Sequence, residues 1–96
     1  FFTPRAIEWM NTTLTHGDDR VLLMDTAFSA GFMRPAASGI FGARPQAFGH
    51  PGTGGSHAFA DPQQRLAFAY VMNQMELGVL PNDRCRALVD AFYSQS

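Results

Sequence analysis

The chain has 96 residues, a formal net charge of -1 and 46% hydrophobic residues. That length bounds it to one small domain or a piece of a larger one, and the hydrophobic share argues against a disordered chain. The near-neutral balance argues against an electrostatically driven nucleic-acid surface. All seven basic residues are arginines. Without lysine, a Walker phosphate loop and Schiff-base catalysis by a side-chain amine are both excluded.

Thr3 is placed to cap a helix with Pro4 at its first position, where the absent N–H costs nothing. Ala6, Ile7, Met10 and Leu14 then recur at helical spacing. His16-Gly17-Asp18-Asp19 is a turn-forming cluster that should end this helix. The chain opens at Phe1 and enters the helix directly, so it reads as a cut or processed product, or one whose beginning lies upstream. Arg20 to Met24 is a short apolar stretch whose state stays open. Phe28, Ala30 and Phe32 alternate in the manner of a strand with one buried face. Arg34 to Gly49, rich in Pro, Gly and Ala, reads as a surface loop.

Ser56 to Ala60 and Leu66 to Met72 are two strand candidates joined across Asp61-Pro62-Gln63-Gln64-Arg65, a turn signal. The nearly unbroken apolar run Leu66 to Met72 fits a central strand covered on both faces. Asn82 follows Pro81 as the cap of a second helix opened by Asp83, with Cys85, Leu88, Val89 and Phe92 as its apolar stripe. Cys85 is the single cysteine, so no intramolecular disulfide forms, and its place on the stripe suits a buried small hydrophobe. It is compatible with a reducing, cytoplasmic compartment and does not establish one. No signal-peptide layout and no apolar run near the length of a membrane span are present. The expected fold is α/β (α+β): an antiparallel sheet of about three strands flanked by N- and C-terminal helices.

The informative segment is Phe48-Gly49-His50-Pro51-Gly52-Thr53-Gly54-Gly55-Ser56. Gly52, Gly54 and Gly55 lack Cβ atoms, so another backbone could approach closely there. By pattern alone, glycines before a strand are more often a tight turn or bulge, and His50 beside Pro51 fits an ordinary turn histidine. Followed by Ala58-Phe59-Ala60-Asp61-Pro62 and Ala67-Phe68-Ala69-Tyr70-Val71-Met72-Asn73, the segment resembles one family. That family is the β-lactamase-related serine hydrolases: class C β-lactamases, penicillin-recognising peptidases and β-lactamase-like esterases. The esterase-like branch is the nearest match, because it often carries His-x-Gly where β-lactamases carry Lys-Thr-Gly. The Thr3-Pro4 helix opening, Phe28 to Phe32 and Pro81 to Phe92 extend the resemblance over nearly the whole chain. It implies the C-terminal segment of a β-lactamase-like transpeptidase fold, with this strand bordering the catalytic cleft. It further implies that His50, Gly52, Thr53 and Gly54 form a substrate-binding edge. The Thr53 N–H would complete an oxyanion hole, and His50 would stand where the family's third-motif lysine stands.

The chain departs from the family pattern where the nucleophile belongs. With no lysine, Ser-x-x-Lys cannot occur in these 96 residues. Tyr70-Val71-Met72-Asn73 has the wrong spacing for Tyr-x-Asn, so no catalytic residue is assigned. There is no Gly-x-Ser-x-Gly elbow, and adjacent Ser56 and His57 on a strand would point to opposite faces. His16, His50 and His57 are too scattered for a metal site, and no cofactor is expected. The expectation is therefore a fragment of a carboxylic-ester or β-lactam hydrolase, inactive alone, whose partner is the N-terminal part of its parent. The alternative is a standalone interaction protein derived from that hydrolase terminus, pairing with a second copy of itself. A small-molecule binder built on the glycine-rich strand has no independent support.

Overall fold

Thr3 caps the first helix as expected: its Oγ1 accepts a hydrogen bond from the Ala6 N–H at 3.1 Å, with Pro4 opening α1 (Pro4–Met10). The helix stops at Asn11, earlier than the apolar spacing through Leu14 implied. The Leu14 N–H is instead bonded to the Phe28 carbonyl at 2.8 Å, so its backbone is satisfied by a sheet ladder in place of a further helical turn.

The computed structural model describes residues 1–36 and 45–94, and the middle of the loop expected from Arg34 to Gly49 lies outside them. Six antiparallel strands follow one another in sheet order: β1 (Thr15–Asp18), β2 (Asp25–Phe28), β3 (Met33–Arg34), β4 (Phe48–Pro51), β5 (His57–Asp61) and β6 (Leu66–Tyr70). A C-terminal helix, α2 (Asp83–Ser94), completes the α+β arrangement.

The class matches the sequence expectation, but the described residues form six strands where about three were expected. His16, Gly17 and Asp18 lie within β1 instead of forming a turn, because their backbones pair with Ala27, Thr26 and Asp25. The turn is made farther on, where the Asp19 carboxylate accepts the Val21 and Leu22 N–H groups at 2.8 Å each. The alternation Phe28, Ala30, Phe32 does not continue as strand. The Ser29 N–H donates to the Phe32 carbonyl at 2.8 Å, folding those residues into a tight turn between β2 and β3. Arg34, expected in a loop, is instead the end of β3, and Phe48 and Gly49 begin β4.

The hairpin of β5 and β6 forms as expected, with Phe59 opposite Phe68 and Ala58 opposite Ala69. β6 is an edge strand among the described residues, not a central one, and it alternates half-buried and exposed residues. One face of the hairpin carries Phe59 and Phe68, and α2 lies on it. Phe59 and Phe68 stack at 5.3 Å, Phe59 and Tyr93 at 6.1 Å, and Phe68 and Phe92 at 5.4 Å. The other face presents Ala58, Ala60, Ala67 and Ala69, small side chains that α2 does not reach. Phe48 and α1 lie beside those alanines, where Ile7, Met10 and Phe48 help line an apolar groove of about 530 Å³. The core itself is built on Met33, Ala47 and Phe59.

Two polar ties fix the helices. Arg34 Nη1 donates to the Ala47 carbonyl at 2.6 Å and to Asn11 Oδ1, joining the end of α1 to β3 and the approach to β4. Tyr93 Oη donates to the buried Asp61 carboxylate at 2.8 Å, pinning α2 to the β5–β6 turn. Asn82 Oδ1 accepts the Cys85 N–H at 3.1 Å, as its capping position implied. Cys85 is fully buried and its thiol is pushed up by desolvation, opposed in part by the Arg86 charge. It packs as a small hydrophobe.

Candidate functional site

β4 delivers the motif to the end of the sheet. Its approach to β5 requires glycine at position 49, because a Cβ there would overlap the Ala58 carbonyl oxygen and the Phe59 Cα. Neither backbone atom can move without opening the ladder. With that register set, His50 lies opposite Ala58 and Pro51 opposite His57. Successive side chains alternate faces, so His50 and His57 point to opposite sides of the sheet.

His50 is exposed, and its ring centroid lies 6.3 Å from that of Phe28. Its Nδ1 lies 2.5 Å from the Pro51 carbonyl oxygen, which holds the ring against its own strand. His57 is buried, its ring 5.1 Å from that of Phe59. Burial drives its pKa down to about 4; a hydrogen bond with the His50 main chain raises it, and the His50 charge lowers it further. The two histidines thus divide their duties: one is presented to solvent and the other stays neutral behind the strand.

Beyond Pro51 the chain leaves the sheet. Gly52 is extended, and Thr53–Gly55 form a single 3-10 turn in which Gly54 has φ 88°. The Gly52 N–H donates to the Ser56 carbonyl at 2.9 Å, and the Gly55 N–H to the Gly52 carbonyl at 3.3 Å. Gly54 is held from outside the motif: its N–H donates to the Gly78 carbonyl at 2.9 Å, and its carbonyl accepts the Glu76 N–H at 3.2 Å. Thr53 is exposed, and among the described residues its N–H is not a donor in these backbone bonds. The glycines serve the protein's own packing as well. A Cβ on Gly54 would lie 2.7 Å from Met75 Cγ, and one on Gly55 would overlap the Asn82 side chain.

The structure therefore brings His50, Gly52, Thr53 and Gly54 onto one short stretch at the sheet end, with His50 and Thr53 presented outward. Sequence reading missed the segment that backs the turn, Met75 to Asn82. Nothing in its composition announces a contact with residues some twenty positions earlier; Gly78, at φ 122°, is the only local hint. Among the described residues, no three His, Cys, Asp or Glu side chains group as a metal site, and no helix is long and apolar enough to cross a membrane.

This geometry coincides with a family assignment. The sequence model of the β-lactamase family matches residues 2–91. The chain belongs to the β-lactamase family. Three solved structures share its fold. A family VIII carboxylesterase is 36% identical with a TM-score of 0.85, covering 94% of this chain and 24% of its own. A penicillin-binding protein homologue from Caulobacter crescentus is 37% identical with a TM-score of 0.89, covering 98% and 25%. EstA from Arthrobacter nitroguajacolicus Rue61a is 29% identical with a TM-score of 0.77, covering 98% and 26%. This β-lactamase-family chain thus spans about a quarter of the length of those proteins. No curated protein matches it.

Proposed function

We propose that the chain is the cleft-edge wall of a serine hydrolase that cleaves carboxylic esters or β-lactams, with the nucleophile carried elsewhere in the parent fold. The observation that carries this reading is the outward-facing His50–Thr53 edge in a chain that belongs to the β-lactamase family. In it, the Thr53 N–H donates to the oxyanion that develops on the acyl carbonyl. Removing one such donor costs about 3 to 4 kcal/mol of transition-state stabilisation. His50 orients the substrate's acyl or carboxylate group through the ring nitrogen not engaged by the Pro51 carbonyl. Gly52 leaves the edge without a side chain, so substrate can lie along it as an added strand would.

No Ser-x-x-Lys occurs in the sequence, so the chain by itself has no nucleophile of the family's kind. The test is an assay of the purified 96-residue chain beside a polypeptide that joins it to an upstream Ser-x-x-Lys and Tyr-x-Asn. The chain alone should not turn over p-nitrophenyl acetate or a chromogenic cephalosporin, whereas the longer polypeptide should hydrolyse one of them. Thr53→Pro, which deletes the N–H, should lower its kcat by about a hundredfold to a thousandfold. Turnover by the isolated chain that survives rigorous purification would overturn the reading.

One observation favours a second reading. Among the described residues β6 is an open edge whose Ala67, Ala69 and following Val71 are exposed, a surface that a second copy of the chain could cover. An interaction protein of this kind should run as a discrete dimer with a cooperative melt; a monomer or a polydisperse aggregate on sizing argues against it.

A further inference from the structure

The segment between β6 and α2 crosses the turn that carries Thr53 and grips it at a single residue. Gly54 is bonded on both sides, its N–H to the Gly78 carbonyl and its carbonyl to the Glu76 N–H, a two-bond clamp reaching across more than twenty positions. Met75 lies over the same glycine, with Cγ and Cε each 2.7 Å from where a Cβ would stand. Gly54 is buried although Met75 is 61% exposed, so the side chain acts as a lid on the clamp rather than as part of the core. The crossing segment is fastened in turn to α2: Arg84 Nε pairs with Glu76 at 3.0 Å, and Arg84 Nη2 donates to the Gln74 carbonyl at 2.8 Å. These contacts lie outside the apolar core, and they converge on the residue beside the Thr53 N–H.

We infer that residues 74–84 are a strap that positions the Thr53 N–H, with Met75 as its principal positioning residue and Arg84 as its fastening. This inference rests on the reading of Thr53 as an oxyanion donor. A turn with φ 88° at Gly54 has few local bonds to hold it, and hydrogen-bond donors stabilise an oxyanion only when they are fixed before charge develops. The strap supplies that fixing, since it shields two backbone bonds from water and gives the turn a rigid back. Met75 touches no reacting atom; it acts through Gly54.

Two measurements test the strap separately from the hydrolase reading. In the 96-residue chain, amide hydrogen exchange should show Gly54 losing protection in Met75→Ala and Arg84→Gln, and keeping it in Met75→Leu. The Phe59 amide, inside the sheet, reports that each variant is folded. In the polypeptide that also carries Ser-x-x-Lys, Met75→Ala should lower kcat by about tenfold to a hundredfold with KM little changed, and Met75→Leu should restore it. Unchanged Gly54 exchange in both Met75→Ala and Arg84→Gln overturns the strap. Lost protection with unchanged kcat in an active enzyme overturns its positioning role. If the unsubstituted polypeptide hydrolyses no ester or lactam, the hydrolase reading falls, while the exchange measurement still decides whether the strap holds the turn.

Discussion

His57 carries a pH dependence that follows from its position behind β4. Its pKa of about 4 in the folded chain lies below the ordinary value of 6.5, so the unfolded chain binds a proton that the folded chain refuses. Above pH 6.5 both states are neutral and the histidine contributes no slope. As the pH falls from 6.5 towards 4 stability is lost, and below 4 the deficit is constant. Urea midpoints at pH 7 and pH 5 should therefore differ in the unsubstituted chain, and the difference should shrink in His57→Gln. An undiminished difference would place the proton uptake elsewhere. Gly49 has a different kind of constraint, steric and indifferent to pH. Gly49→Ala forces a Cβ into the backbone of β5 and should cost about 3 kcal/mol or more, read as a lowered urea midpoint at either pH. His50 and Gly49 were legible as a motif in the sequence, but the reason for Gly49 was not: the backbone it must avoid belongs to another strand.

Among the elements, α2 shows what local chemistry can and cannot announce. Its start was readable from Asn82 and Asp83, because capping involves residues only three apart. Asn82→Ala should cost about 1 kcal/mol, seen as a lower melting temperature. Its fastening to the sheet was not readable, because Tyr93 meets Asp61 across 32 positions. Tyr93→Phe removes one bond to a buried carboxylate and should cost about 1.5 to 3 kcal/mol while leaving far-UV helicity intact. The short strands were missed for a similar reason. β3 is two residues long, and β1 is wholly exposed, so neither shows an apolar alternation. Partner strands impose their extended state, overriding the turn preference of His16-Gly17-Asp18. The apolar run of β6 suggested cover on both sides; in this chain α2 covers one face and the alanines of the other stay open.

At the scale of the molecule, that open face is the main feature. Ala67, Ala69 and Val71 are exposed, and an apolar groove of about 530 Å³ runs beside them between α1 and the sheet. Under the proposed reading this is the face on which the rest of the parent hydrolase packs. The isolated chain should bind an apolar reporter dye, and the polypeptide joined to the rest of a hydrolase should bind much less. Equal dye binding by the two would argue that the face is not covered in the larger protein. The matched structures, of which this chain spans about a quarter, agree with an element that completes a larger fold.

By itself the sequence determined the α+β class, both helix starts, the β5–β6 hairpin and the family, since each depends on caps, turns and motif residues close together in the chain. It also determined that Ser-x-x-Lys is absent, which needs only a count of lysines. Tertiary structure alone decided that β6 is an edge, that His50 and His57 face opposite ways with opposite exposure, and that Met75 and Gly78 back the Thr53 turn. Those outcomes depend on which strand lies next to which and on what packs against each face, and residues distant in sequence settle both.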